Sequence, residues 1–319
     1  MRKIIAAALA LMCLLSACSQ PAEAPEEPRN NVGQITYAGV CLADGENAPY
    51  RQQLEKELLR LGYYVNFADA KGDQSVQHNQ INSFITKQYD VLIVEPVMAA
   101  TADIILTRLE AAQVPVVLLG KEPAEDVLSL WERACYVGFD YSQPGKIQGQ
   151  IILNTSNRGD INGDGNMAYA ILAGPEENIY TKLHIEGCTN ALQDADIHPE
   201  LLSTVYGDNT QLRGKALTEG LLSQFGRDIE VLFCGSDDMA MGALEALKSS
   251  GRTINQDIYV VGIGGGADVL SDVSQGLLTG TAMADYNALA QQTAEAVRLL
   301  LNHEAQAVYT VDYVLKETP

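Results

Sequence analysis

Oxygen-bearing side chains alternate along one short segment of the chain, DINGDGN, at residues 160–166. These side chains are Asp160, Asn162, Asp164 and Asn166. EF-hand loops use this alternation to surround calcium with oxygen, and a Glu at the twelfth position supplies two more ligand atoms. That position is Ile171 in this chain. The segment therefore predicts a calcium loop whose last carboxylate is missing or comes from elsewhere in the chain. An Asx turn without metal is the alternative.

No motif of a hydrolase, a zinc protease or a P-loop enzyme is present, because GxSxG, HExxH and GxxxxGK[ST] are all missing. The glycine-rich GIGGGA, at residues 262–267, follows an apolar segment late in the chain. A dinucleotide-binding loop opens its βαβ unit and is followed by an acid about 20 residues on. GIGGGA is therefore interpreted as a strand-end turn. Only Glu95 with His184 suggests paired acid and base groups, so no enzyme activity is expected.

The first residues of the chain predict export and a lipid anchor. Arg2 and Lys3 precede an apolar run that ends at Cys18, and this order is typical of a signal peptide, predicted over residues 1–18. The run is short for a membrane span. Leu-Ser-Ala-Cys at residues 15–18 resembles the lipobox of bacterial lipoproteins, in which the Cys is lipidated; an ordinary signal peptide cut nearby is the alternative. Residues 19–33 are rich in Pro, Glu and Ala and predict a flexible tether.

The formal net charge of −20 disfavours nucleic acid and anionic surfaces as partners. Nucleic acid is disfavoured because phosphates require Lys and Arg. The lipid on Cys18, rather than a basic patch, would have to hold the protein at a membrane. The remaining cysteines are Cys41, Cys135, Cys188 and Cys234, without CxxC spacing. They are predicted to be buried thiols, and a Cys135–Cys188 bridge stays open.

Apolar strand-like runs alternate with helical patterns through the rest of the chain. This alternation predicts an α/β fold with two doubly wound lobes, each built on a parallel sheet covered on both faces. Ligands in such folds bind beyond the carboxyl ends of the strands. The strand-end segments predicted to build the pocket are residues 41–50, 95–97, 174–184, 206–209, 235–238, 264–266 and 284–287.

Several segments together resemble one family. They are VPVVLLGKEP, YVGFDYSQPGKIQGQII, DINGDG, IEVLFCGSDDMAMGALEALK and GTAMAD. On the basis of these segments, nearly all of the chain after residue 33 resembles the type I periplasmic binding proteins. It is most similar to the D-galactose/D-glucose-binding proteins of ABC transporters. The resemblance implies a monomer without catalytic activity, whose two lobes close on a small polar ligand and present it to permease subunits. The lobes, joined by a three-segment hinge, are predicted at residues 34–118 with 285–308, and 119–284 with 309–319.

The resemblance also implies a source for the missing calcium ligand. In the family a Glu on a distant strand closes the calcium loop, and it matches Glu230 in this chain. The implied Ca²⁺ ligands are the side chains of Asp160, Asn162 and Asp164, the carbonyl of Asn166 and two oxygens of Glu230. At the loop's ninth position, where the family has an amide side chain, this chain has Ala168, so water is expected to replace one ligand.

The positions that match the family's sugar contacts all carry different residues in this chain. The replacements and their neighbours predict this ligand set: Asn47, Tyr50, Glu95, Asn178, Tyr180, His184, Tyr206, Ser236 and Asp285. Tyr50 and Tyr206 each lie one position from a lost aromatic residue, which predicts a sandwich of two Tyr rings around the ligand. Glu95 is gained and the family's Arg is replaced by His184. This change disfavours acidic or phosphorylated sugars and permits a neutral sugar, an amino sugar, a nucleoside or a cationic polar molecule.

Two roles remain open for such a binder. The first is a lipid-anchored substrate-binding protein of an ABC transporter that takes a galactose- or glucose-like monosaccharide or a derivative. The second is a ligand-sensing lipoprotein that relays occupancy to a membrane histidine kinase, because both roles use the same lobe closure. A repressor of the LacI type, which shares the fold, is excluded by the signal peptide and by the negative charge.

Overall fold

The computed structural model describes residues 35–124 and 126–318. The predicted signal peptide, the lipidation site Cys18 and the tether at residues 19–33 lie outside these ranges. None of the described helices combines the length and the apolar character that a membrane crossing requires.

Strands and helices alternate through the described ranges, as the sequence pattern predicts. The strands are β1 (Tyr37–Leu42), β2 (Tyr64–Asp69), β3 (Val91–Val94), β4 (Val116–Leu119), β5 (Ala134–Phe139), β6 (Met167–Ala173), β7 (Pro199–Tyr206), β8 (Val231–Cys234), β9 (Tyr259–Gly264), β10 (Gly280–Ala284), β11 (Val308–Val311) and β12 (Tyr313–Glu317). The helices are α1 (Arg51–Arg60), α2 (Gln74–Thr86), α3 (Ala102–Ala111), α4 (Gln143–Asn154), α5 (Ile179–Gln193), α6 (Gln211–Phe225), α7 (Asp237–Ser249), α8 (Ala267–Ser274) and α9 (Tyr286–Leu301).

Two six-stranded sheets form the two lobes. The first has the order β11-β5-β4-β3-β1-β2 and is parallel throughout. The second has the order β12-β10-β9-β8-β6-β7, in which only the edge strand β12 is antiparallel. The central strands β3, β4 and β8 consist of Val, Leu, Ile, Phe and Cys and are buried along their whole length. Such strands lie between two layers of helices, so both faces of each sheet are covered.

Three crossovers connect the lobes, as the predicted hinge requires. They are residues 140–142 between β5 and α4, Asp285 between β10 and α9, and Asp312 between β11 and β12. Gln143 links two of them. Its Nε2 donates to Asp140 Oδ2 at 3.0 Å and to Asp312 Oδ1 at 2.7 Å, and its Oε1 accepts from Tyr313 N at 2.9 Å. The first and third crossovers are thus held side by side.

The lobe boundaries differ from the predicted ones. The prediction ended the first lobe at residue 118 and placed residues 309–319 in the second lobe. In the structure β5 pairs with both β4 and β11, so residues 134–139 and 308–311 belong to the first sheet. The alternation of strands and helices continues unchanged from one sheet to the next, and it carries no signal of where the chain changes lobe.

The described cysteines are free and buried, as predicted. Cys135 lies in the core of the first lobe and Cys188 in that of the second, so no bridge joins them. Burial raises the pKa of both Cys41 and Cys135 to about 12, which keeps them protonated. Trp131 is also buried, and its indole N–H donates to the Val114 carbonyl at 3.0 Å.

Candidate functional site

A cavity of about 190 Å³, the hinge cavity, opens where the crossovers meet the carboxyl ends of the second sheet. Two of its residues belong to the hinge region: Tyr141 lies within the first crossover, and Tyr313 directly follows the third. The others come from α4, α5, the end of β9 and the loops after β6, β7 and β8. Its lining is Tyr141, Pro144, Gly174, Asn178, Tyr180, Thr181, His184, Asn209, Gly235, Ile263 and Tyr313. This is the position at which doubly wound folds bind ligands.

Tyrosine rings form one wall of the hinge cavity. Tyr141 and Tyr180 stack with their centroids 4.1 Å apart and their planes tilted by 34°. Tyr313 lies 6.4 Å from Tyr141. The Tyr141 hydroxyl donates to the Gly120 carbonyl in the first lobe at 3.2 Å. Burial raises the pKa of all three hydroxyls, so this wall is uncharged. Flat neutral rings of this kind stack on the apolar faces of small polar ligands.

A buried polar network lies beneath the hinge cavity. Gln148 Nε2 donates to the carbonyls of Cys234, Val261 and Gly262, at 2.9, 3.1 and 3.0 Å. Gln148 Oε1 lies 2.7 Å from His184 Nε2 and accepts from the Cys188 thiol at 3.2 Å. The second ring nitrogen of His184, Nδ1, is buried without a hydrogen-bond partner. Burial lowers the pKa of His184 to about 4, so its ring is neutral at pH 7.

A second cavity, of about 490 Å³, lies beside the glycine-rich segment that follows β9. Ser236, Asp237, Gly264 and Tyr286 line it, with others. Asp237 is buried and accepts from the Gly265 amide at 2.5 Å and from the Thr281 hydroxyl at 2.7 Å. Burial raises its pKa. GIGGGA thus forms a strand-end turn around a buried carboxylate, in line with the sequence interpretation.

The candidates of the first lobe occupy different environments. Glu95 is partly buried, and its Oε2 accepts from the Ala43 amide at 3.1 Å. Tyr50 is only 5% exposed and packs in the core of the first lobe. Its hydroxyl faces Glu95 without a hydrogen bond of normal geometry, and burial and the Glu95 carboxylate raise its pKa. Asn47 is exposed and donates to Asp44 at 2.7 Å, away from both cavities.

The other candidates lie at helix starts or on the surface. Asn178 caps α5 by accepting from the Tyr180 amide at 2.9 Å. Ser236 caps α7 and lines the second cavity, and Asp285 caps α9 from within its crossover. Tyr206 is 37% exposed and lines neither cavity.

The structure brings three of the candidates together in the hinge cavity, namely Asn178, Tyr180 and His184. It does not form the predicted sandwich of Tyr50 and Tyr206, because the Tyr50 ring is packed in the core of the first lobe. The sequence prediction missed Tyr141 and Tyr313. Tyr141 lies two residues after the end of β5, so applying the strand-end rule to that strand as well would have found it.

The loop at residues 160–166 folds around its own backbone. Asp160 accepts from the Gly163 and Gly165 amides at 2.7 and 3.0 Å, and Asn162 accepts from the Asp164 amide at 2.8 Å. Gly163 and Gly165 have φ of +75° and +93°, the left-handed region in which Gly carries no steric cost. The loop is therefore built of successive Asx turns.

Glu230 reaches this loop, as the family resemblance implies. The residue is 2% exposed. Its Oε1 accepts from the amides of Ile161 and Asn162 at 2.7 and 2.9 Å, and its Oε2 accepts from the Ala168 amide at 2.9 Å. Three backbone donors thus bind one buried carboxylate. The distant acid and the loop that it was predicted to complete are adjacent.

The oxygen donors fit calcium in kind, but they are not arranged as a coordination shell. Within residues 35–124 and 126–318 no three His, Cys, Asp or Glu side chains gather closely enough to hold a metal ion. The Asx turns leave carboxylate lone pairs free on Asp160 and Asp164. The Glu230 oxygens, in contrast, already accept three amide protons, so bidentate binding of calcium by Glu230 competes with these hydrogen bonds.

The comparison with known families identifies the family of this chain. A family model described as "Periplasmic binding protein domain" matches residues 39–305. The chain belongs to this family. The predicted family and the predicted two-lobed fold are therefore confirmed.

Individual relatives bind sugars, according to their names. One is the D-galactose/methyl-galactoside binding periplasmic protein MglB of Haemophilus influenzae, 30% identical over 287 residues, which cover 87% of this chain and 82% of the relative. The ribose import binding protein RbsB of Bacillus subtilis is 25% identical over 99% of this chain and 98% of its own length. A solute binding protein of Actinobacillus succinogenes, solved with bound D-allose, has the same fold with a TM-score of 0.73, at 19% identity over 88% of this chain and 96% of its own. None of these names describes an enzyme.

Proposed function

We propose that this protein is the extracytoplasmic substrate-binding component of an ABC transporter. Its ligand is a small polyhydroxylated molecule of the monosaccharide class, bound in the cleft between the two sheets. The observation that carries this proposal is the hinge cavity itself. Neutral tyrosine rings and uncharged hydrogen-bonding side chains converge there, beside the crossovers that link the lobes. The named relatives support the same class of ligand.

The geometry supports a binding cycle. A ligand that stacks on Tyr180 and contacts Tyr141 touches the second lobe and a crossover at once. Tyr141 also bonds to Gly120 of the first lobe, so the ligand links the lobes and stabilises a closed form. Closure changes the surface that permease subunits meet, and these subunits are the proposed partners of a monomeric binding protein.

A thermal-shift screen with a calorimetric follow-up tests this proposal. The panel is D-galactose, D-glucose, D-ribose, D-allose, myo-inositol, D-galactosamine and adenosine. A ligand present at 100 times its Kd stabilises the folded state by about 2.7 kcal/mol, which raises the melting temperature by several degrees. Tyr180→Ala is expected to abolish the shift, whereas Leu277→Ala, on an exposed side chain of the same lobe, keeps it. If no member of the panel raises the melting temperature, the proposal is wrong.

One observation favours a second class of ligand. Within the described part of the chain Glu95 forms no ion pair. Burial raises the pKa of the Tyr50 hydroxyl, and the negative charge of the nearby Glu95 carboxylate raises it further. A carboxylate without a cation at a cleft suits an amino sugar or another cationic polar molecule. D-galactosamine and D-galactose separate the two classes, because only the amino sugar is expected to lose affinity when Glu95 is changed to Gln.

Structural Ca²⁺ at the loop of residues 160–166 is part of the proposal. Supporting it are the alternating oxygens and the burial of Glu230 at the loop. Calcium is expected to raise the melting temperature and EGTA to reverse the rise. Asp164→Asn removes a ligand charge without touching Glu230 and is expected to abolish the response; Asp228→Asn, exposed and outside the loop, keeps it. A melting temperature indifferent to calcium and to EGTA would contradict the site.

The proposed membrane anchor is the lipid on Cys18. Its support is the lipobox-like segment at residues 15–18. Expression of the full chain and of Cys18→Ser in a bacterial host, followed by fractionation, tests it. The unchanged protein is expected in the membrane fraction, with an acylated N-terminal peptide in mass spectrometry, and the variant outside that fraction. Equal partition of the two proteins would contradict the anchor.

A further inference from the structure

The orientation of the Gln148 side-chain amide is fixed by its surroundings. Its nitrogen faces three backbone carbonyl oxygens, of Cys234, Val261 and Gly262. The opposite orientation would place the amide oxygen against three acceptors, each of which can only receive a hydrogen bond. Gln148 is completely buried, so no water could relieve that repulsion. Gln148 Oε1 is therefore the atom that faces His184.

This orientation determines where the His184 proton lies. Gln148 Oε1 is an acceptor, so the His184 Nε2 atom at 2.7 Å must carry the hydrogen. A neutral imidazole carries one ring proton, and Nδ1 is then a bare acceptor. His184 is 4% exposed and lines the hinge cavity, and its Nδ1 has no partner within the protein. A buried acceptor without a donor is costly unless something supplies one.

We propose that Gln148 holds His184 in the Nε2–H tautomer and that its bare Nδ1 accepts a hydrogen bond from a hydroxyl or amino group of the cleft ligand. The inference rests on the proposed function and sharpens its ligand class. Gln148 is a positioning residue that acts through the His184 ring. The ligand must then present a donor at this point, which selects against a carboxylate, a phosphate or a keto oxygen there.

Two carboxylates select for donors as well: Asp237 lines the second cavity, and Glu95 lies beside Tyr50 in the first lobe. Glu95 and Asp237 both lie at strand ends, and no described cation pairs with either. Like His184 Nδ1, a carboxylate without a cation is a hydrogen-bond acceptor. A polyol or an aminated polyol satisfies these acceptors through its hydroxyl or amino protons, whereas a sugar acid would oppose them.

Two-bond ¹⁵N–¹H correlation spectra of the protein test the tautomer without any ligand. His184 is assigned through its backbone, so no variant is needed for this arm. The expected spectrum at pH 7 has a protonated Nε2 and an unprotonated Nδ1. Gln148→Met removes the acceptor for Nε2–H and is expected to give a mixture of tautomers. A protonated Nδ1 in the unchanged protein would overturn the inference, whatever ligand binds.

Calorimetry with the panel of sugars tests the acceptor role. For the member that binds, His184→Met is expected to weaken binding about tenfold, the effect of one lost hydrogen bond. Cys188→Ala is the matched control, because it removes the other donor to Gln148 Oε1 and does not line the cavity; it is expected to change affinity less than about twofold. The Nδ1 resonance of the unchanged protein is expected to shift on ligand addition.

The outcomes separate the two proposals. Unchanged affinity in His184→Met, or an Nδ1 resonance that does not move when a sugar binds, overturns the inference and leaves the proposed function standing. Failure of every panel member to bind overturns the proposed function together with the ligand role of His184.

Discussion

Burial of His184 as a neutral side chain makes the stability of the protein depend on pH. Burial lowers the pKa of His184 from 6.5 to about 4. Between these values the unfolded chain binds a proton that the folded chain does not, so the free energy of unfolding rises with pH. One pKa unit corresponds to about 1.36 kcal/mol, and a shift of roughly two and a half units therefore corresponds to about 3 kcal/mol. This stability is complete above pH 6.5 and is lost as the pH falls through about 4.

The assay is urea unfolding followed by far-UV circular dichroism at several pH values, for the unchanged protein and for His184→Gln. Other groups titrate in the same window, and they cancel in the difference between the two proteins. The difference in free energy of unfolding is expected to grow by about 3 kcal/mol from pH 4 to pH 7. A difference that stays constant within about 0.5 kcal/mol, given the errors of such extrapolations, would refute the burial of a neutral His184.

Further predictions concern the second lobe. Glu230→Ala leaves three backbone amides without their buried charged acceptor and is expected to lower the free energy of unfolding by about 3 kcal/mol; Glu230→Gln can still accept from some of them and should cost less. Urea unfolding measures both, and equal losses would contradict the hydrogen bonding described. Gly145→Ala would place a methyl group against the α5 backbone at His184 and is expected to destabilise by about 1–3 kcal/mol. Gly220→Ala, on an open helix face, is expected to stabilise the protein by up to about 1 kcal/mol. A loss of stability in Gly220→Ala would contradict the difference in packing between Gly145 and Gly220.

The sequence allowed the fold to be predicted because its signals are local. Runs such as those of β3, β4 and β8 are apolar along their whole length, which indicates strands buried on both faces. The position of Glu230 at the loop followed from the family resemblance alone, since nothing local connects residues so far apart. The lobe to which β5 belongs was not predictable from the pattern, because a parallel strand pairs with neighbours remote in the sequence.

The candidate site was predicted only in part, for a related reason. Asn178, Tyr180 and His184 follow one strand and share a helix start, so the strand-end rule found them together. The role of Gln148 depends on contacts to carbonyls 86 to 114 residues away. Such a network is set by tertiary packing and leaves no periodic signal. Tyr50 was misplaced because its neighbourhood is a core that forms only when α1 and α9 pack together.

The most direct test of the account is a crystal structure of the protein grown with the panel member that most raises its melting temperature. The account predicts that ligand in the hinge cavity, stacked on Tyr180, with a hydroxyl or amino group donating to His184 Nδ1. A ligand bound elsewhere, or bound there with an acceptor atom against Nδ1, would contradict it.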